Sequence, residues 1–244
     1  MKCKHVLLFV LMSVELIHFF WRLIVCGRFV QATAIEKVRL IIDIANQLDS
    51  QTNFNIAPST AIACVRQLAD GSNHLGLMRW GLIPTWAKDI KTSFKTFNAR
   101  AETLKEKASF KAAYKYRRCI IPADGYYEWH TENKKKQPYF IYHSDQQPLL
   151  LAGLWELWQH DGMSIESATI ITTAASQDIQ FIHPRMPVVL TTQQAPQWLD
   201  VHQQDSKQCD ALLHAQAGLK WHRVDPKIGN PRFNNDACIQ AIAG

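Results

Sequence analysis

The stretch Arg118–Leu154 reads RCIIPADGYYEWHTENKKKQPYFIYHSDQQPLLLAGL. Its apolar runs are too short for helices and are parted by turn formers. Cys119–Ile121, Tyr126–Trp129, Tyr139–Tyr142 and Leu149–Leu154 are rich in aromatic and β-branched residues, with Pro122, Asp124, Gly125 and Pro148 between them. Such spacing predicts successive antiparallel strands. The Lys134–Lys136 run falls between two of these strands and reads as a solvated hairpin turn, with a phosphate contact as the minority reading.

Outward from this stretch the pattern continues. Strands are expected at Ala61–Leu68, at Leu75–Leu82 ahead of the turn at Pro84, at Thr169–Thr172 and at Trp221–Val224. Thr33 and Glu36 form a capping box, and Ile35, Val38, Ile42 and Ala45 recur at helical spacing, predicting a helix from Thr33 to Leu48. Further helices are expected at Lys105–Lys115 and Gln193–Leu199. Many short strands, few helices and no βα alternation point to an α+β fold. The expected architecture is one domain of mainly antiparallel, barrel-like sheet with flanking helices. At 47% hydrophobic and 20% charged residues, the 244-residue chain is neither disordered, collagen-like nor coiled coil. The net charge of +6 leans towards a polyanionic partner but decides nothing alone.

Residues 1–25 differ from everything that follows. Lys2 and Lys4 precede an apolar run resembling a signal or a membrane span, yet Glu15 and Arg22 interrupt it and no small-residue cleavage site precedes Cys26. Val25 is also unsuited to a lipoprotein signal. Valine is what an internal GTG codon encodes, and GTG also serves as a bacterial start. Initiation at Val25 followed by removal of Met would leave Cys26 first. The expectation is that residues 1–25 are absent from the mature protein, leaving a cytoplasmic domain over residues 26–244 with no membrane attachment. The cysteines, Cys3, Cys26, Cys64, Cys119, Cys209 and Cys238, have neither CxxC nor zinc-ligand spacing. They read as reduced thiols, with Cys64, Cys119 and Cys209 as small core hydrophobes. No metal or organic cofactor is expected.

Several polar residues strain a purely structural account. Alternation puts Glu128 on one face with Tyr126, where a carboxylate is either solvated, the favoured reading for that residue alone, or held in a pocket as a proton carrier. Prolines fix the backbone around His183 and Arg185. Asn98, Arg100 and Glu102 form a polar cluster that could cap the helix expected from Lys105. Cys26 is followed by a permissive glycine and by Arg28, which suits phosphate.

Taken in order, these motifs form a series. Cys26-Gly-Arg-Phe29, Phe54-Asn-Ile-Ala-Pro58, Trp80-Gly-Leu-Ile-Pro84 and Asn98-Ala-Arg-Ala-Glu-Thr103 precede Arg118–Trp129, Ala152-Gly-Leu-Trp-Glu156 and His183-Pro-Arg-Met-Pro187. From Cys26 to near the C-terminus, the series resembles the SRAP family, which handles abasic sites in single-stranded DNA. The resemblance implies a covalent crosslink in which the α-amine of an N-terminal Cys26 attacks the ring-opened aldehyde and its thiol closes a thiazolidine. It further implies that Asn98 positions the amine and the sugar, that Glu128 shuttles protons and that His183 acts as an acid on the sugar oxygen. Arg28, Arg100 and Arg185 would hold phosphates, and Pro58 and Trp86 would carry adjacent bases; for Trp86 the plain alternative is core packing, which is preferred for Trp80. The implied partner is single-stranded DNA containing abasic sites, bound by a monomer. With residues ahead of it the Cys26 nitrogen is an amide and cannot form an imine. The alternatives are a thiol autopeptidase using Cys26, His183 and Glu128 or Asn98, and a non-covalent single-strand binding module. Lyase cleavage by β-elimination is a possible side activity of the same site.

Overall fold

A computed structural model describes residues 26–203 and 205–243, so the apolar segment 1–25 lies outside the described residues. In chain order the elements begin with β1 (Arg28–Gln31), α1 (Ala34–Val38), β2 (Asn53–Ile56), β3 (Ala61–Gln67) and β4 (Asn73–Trp80). Next come β5 (Asn98–Arg100), α2 (Lys111–Tyr116), β6 (Arg118–Ala123), β7 (Gly125–Glu132) and β8 (Lys135–His143). The long strands β9 (Leu149–His160) and β10 (Met163–Ala174) lead to β11 (Arg185–Pro187) and β12 (Val189–Leu190). The chain closes with α3 (Gln194–Leu199), α4 (Ser206–Asp210) and β13 (Leu219–Arg223). Short 3-10 turns fill several connections, including Pro226–Gly229 and Asp236–Ile239.

The strands form two sheets. One has the order β13-β8-β7-β1-β2 and is antiparallel throughout. In the other, β10 bonds to both β4 and β9, so the path β10-β4-β3-β6-β9 returns on itself like a barrel. Alternation assigns each face of the barrel strands. Ile62, Cys64, Ile121, Leu151 and Ile170 share a core with Phe29, Ile56, Tyr126, Tyr139 and Ile141 of the first sheet. Ala63, Val65, Ile120, Ala152 and Ile171 pack instead with Val38, Ala113, Tyr114 and Trp198 of the helices. The first sheet is covered outside by Val224, Ile228 and Cys238, which pack on Tyr127 and Phe140. This is the α+β, barrel-like arrangement with flanking helices that the strand spacing predicts.

The helix expected over Thr33–Leu48 is a correction. Only Ala34–Val38 is helical, and Thr33 makes no side-chain cap. Its Oγ1 donates instead to Asp124. After turns through residues 39–42 the segment is tied to β4, where Asn46 accepts from the Leu75 N–H at 2.9 Å and donates to the Leu75 carbonyl at 2.8 Å. The helix expected at Lys105–Lys115 begins only at Lys111. Glu102 therefore caps nothing there. Of the Lys134–Lys136 run, Lys134 forms the hairpin turn with Asn133, both at positive φ, whereas Lys135 and Lys136 belong to β8.

Candidate active site

Cys26 sits just ahead of β1, buried, with φ at 46°, in the left-handed region that non-glycine residues seldom occupy. Two side chains from different sheets grip its backbone. The Glu128 Oε1 on β7 accepts a hydrogen bond from the Cys26 nitrogen, and the Asn98 Nδ2 on β5 donates to the Cys26 carbonyl at 3.4 Å. The pairing of β1 with β7, Phe29 opposite Tyr126 and Arg28 opposite Tyr127, brings Glu128 beside the start of β1. The parallel pairing of β5 with β10 places Asn98 opposite Ile170, in the same core.

Glu128 is 3% exposed, which corrects the solvated reading favoured for this residue by itself. Alternation gave its face correctly, but that face turns inward onto the barrel. Burial raises its carboxyl pKa to about 8, against the downward pull of N–H donors from Cys26 and Trp129. At neutral pH it therefore carries a proton. The Cys26 thiol is pushed well above its ordinary value, first by burial and then by the Glu128 charge.

A cavity of about 350 Å³ is lined by Gly27, Arg28, Glu128, Trp129, Lys136 and His183, among others. The structure thus brings Glu128, His183 and Arg28 to one opening beside Cys26. The His183 Nδ1 faces the Arg185 backbone, whose N–H lies at 3.1 Å. Arg28 donates to Asn55 Oδ1 at 2.8 Å and to the carbonyls of Ile228 and Gly229 at 3.0 Å. Arg100 is exposed at the end of β5. Arg185 forms a bidentate pair with Glu102 at 2.9 and 3.0 Å, the true role of that carboxylate. Pro58 follows β2 and does not line the cavity, nor does Trp86, whose 59% exposure overturns the core-packing alternative. Trp80 is fully buried, and its Nε1 donates to the Phe97 carbonyl at 2.8 Å. Cys64, Cys119 and Cys209 are buried free thiols, as expected.

The sequence reading gave no site role to Trp129 or Asn55, and gave Lys136 only the minority phosphate contact of a solvated turn, whereas it lines the cavity from β8. Asn55 had no local signal, because its partners Ile228, Asn230 and Phe233 are remote in sequence.

A family model for SOS response associated peptidase (SRAP) matches residues 25–231. The chain belongs to the SRAP family. Among curated proteins, this SRAP chain is 37% identical to abasic site processing protein YoqW of Bacillus subtilis, covering 88% of this chain and 99% of that protein. It is 36% identical to abasic site processing protein HMCES of Xenopus tropicalis, over 79% of this chain and 67% of that one. Identity to abasic site processing protein YedK of Escherichia coli is 30%, over 89% and 100% of the two chains. Among solved structures, a protein from Bacteroides thetaiotaomicron superposes with a TM-score of 0.76 at 26% identity, covering 89% of this chain and all of that one. Among the described residues, no helix is long and apolar enough to cross a membrane.

Proposed function

We propose that this protein processes abasic sites in single-stranded DNA by forming a covalent thiazolidine crosslink through Cys26, in a mature chain that begins at that residue. The observation that carries this reading is the contact between the Cys26 nitrogen and the buried Glu128 carboxyl. An ordinary core glutamate would be a liability; one bonded to the nitrogen of a cysteine is placed to move protons at that nitrogen.

With Cys26 first in the chain, that nitrogen is an α-amine with a pKa near ~8, so a useful fraction is neutral and nucleophilic at cellular pH. The amine adds to the aldehyde carbon. A proton delivered by Glu128 lets the oxygen leave as water, giving the imine. The thiol then adds to the imine carbon, a C–S bond forms and the sulfur's proton passes to nitrogen. Because amine and thiol sit on one residue, ring closure is intramolecular and strongly favoured. Asn98 holds the Cys26 carbonyl and fixes the amine's direction. His183, in the lining of the cavity, serves as the acid on the sugar oxygen. Arg100 is available to phosphate, and Trp86 offers an exposed ring to a base.

A thiol-peptidase reading is less well supported. It needs a thiolate, and here burial and an adjacent carboxyl both oppose ionisation of Cys26.

Cys26→Ala should abolish a boiling-resistant adduct with an abasic single strand on a denaturing gel. A slow-migrating band that persists in this variant would sink the assignment. An adduct that forms only as a complex dissociated by hot detergent would mean a non-covalent binding module.

A further inference from the structure

Next to Glu128 the first sheet carries a group of aromatic rings that the chemistry above does not use. Tyr139 on β8 lies directly opposite Glu128 in the β7–β8 register, so the two side chains are neighbours on one face. The Tyr139 ring is buried and meets three others: His130 of β7 at 6.5 Å between centroids, Phe181 at 6.0 Å and Trp221 of β13 at 5.5 Å. Its hydroxyl donates to Glu132 and accepts from Arg223 Nε at 3.2 Å, which fixes the ring. Phe181 and Trp221 pack against it and against each other, with centroids 4.8 Å apart, yet they are 43% and 42% exposed. Single exposed rings are ordinary on a protein surface. Among the described residues, no other two exposed Trp, Phe or Tyr rings are in contact.

The position of the pair points to its ligand. Phe181 lies on the loop between β10 and β11, two residues before His183, which lines the cavity beside Cys26 together with Glu128. An abasic nucleotide drawn into that cavity has no base of its own, but its neighbours in the strand do, and they stay at the opening. A base there meets rings already held in place, and stacking on them needs no base-specific hydrogen bond. A stable protein partner needs about 800 Å² from each side, far more than two half-open rings supply.

We propose that Phe181 and Trp221 form the stacking platform for the unpaired base on one side of the abasic nucleotide. The proposal rests on the abasic-site reading above and adds to it the residues that hold one flank of the strand.

The test uses protein expressed from its own upstream DNA and a tetrahydrofuran analogue of the abasic nucleotide, which has no aldehyde and reports binding without crosslinking. Kd is measured for three single strands: one with a base on each side of the analogue, and two in which one or the other neighbouring base is replaced by a second analogue. For wild type, one of the two replacements should weaken binding about tenfold. Phe181→Ala/Trp221→Ala should bind the first strand about tenfold more weakly than wild type and show no further loss for that same replacement, while any loss on the other flank remains. Phe181→Leu/Trp221→Leu keeps apolar bulk without the rings and should behave as the alanine pair; it carries the comparison if the alanine pair fails to show a cooperative thermal melt. A penalty for the replacement that persists in the folded variants overturns the proposal, as does an equal loss of affinity for all three strands, which marks a structural role. Wild-type binding indifferent to both neighbouring bases overturns it without any variant. If wild type binds none of the strands, the abasic-site reading fails first and this proposal falls with it.

Discussion

At the scale of single residues, the site is governed by what burial does to Glu128. Its pKa of about 8 lies above the ordinary carboxylate value of 4.5 because the folded protein shields it from water. In the 244-residue chain, where the Cys26 nitrogen is an amide, the folded state therefore holds a proton that the unfolded state has released. Stability should fall as pH rises from about 4.5 towards about 8 and level off above that. Glu128→Gln removes the effect. The variant should melt with wild type near pH 4 and above it at pH 9, and a thermal-melt series that shows no such divergence contradicts the buried, protonated carboxyl. Arg100, exposed at the end of β5, makes a different prediction. Arg100→Ala should weaken binding about equally across single-strand sequences and reduce the slope of log affinity against log salt by about 1. A strongly sequence-dependent loss, in a titration over several oligonucleotides, would instead mean base readout.

At the scale of elements, the strands were legible because their period and their turn residues agree. The helix after β1 was not. Ile35, Val38 and Ile42 are all buried, so the apolar pattern is real, but beyond Val38 the backbone turns and bonds to β4 instead of continuing the helix, the Ala45 N–H donating to the Asn73 carbonyl at 2.9 Å. Asp124, in the turn between β6 and β7, accepts from the Ala32, Thr33 and Ala34 N–H groups at 2.6, 3.0 and 3.2 Å. It caps α1 from across the fold, which no local capping rule could reveal. Asp124→Ala should cost about 2 kcal/mol and lower the melting temperature by about 5 °C. Its neighbour Gly125 is fixed by space: an added Cβ would lie 2.4 Å from Phe140 Cζ and 2.6 Å from the Ile141 carbonyl oxygen. The ring can shift, but the β8 backbone cannot do so without disturbing the β7–β8 pairing. Gly125→Ala should therefore destabilise by about 2 kcal/mol in denaturant unfolding, and a neutral result would show that β8 yields.

At the scale of the whole molecule, the site exists because separate parts of the fold meet at one residue. Asn98 comes from a strand added to the barrel, Glu128 from the other sheet, and His183 from the loop between β10 and β11. The motif order along the chain carried their resemblance to the SRAP family, but not that Glu128 and Asn98 hold the nitrogen and the carbonyl on either side of the Cys26 Cα. That juxtaposition needs the β1–β7 and β5–β10 pairings, which no stretch of sequence states. The same geometry makes the chain's starting point a chemical question, since an amide nitrogen at Cys26 has no imine chemistry. The most direct measurement is the intact mass of the untagged protein, expressed from its own upstream DNA, before and after incubation with an abasic single strand. The account predicts a chain beginning at Cys26 that gains the mass of the strand less one water and keeps it through boiling. A chain that retains residues 1–25, or a mass unchanged by the DNA, would contradict it.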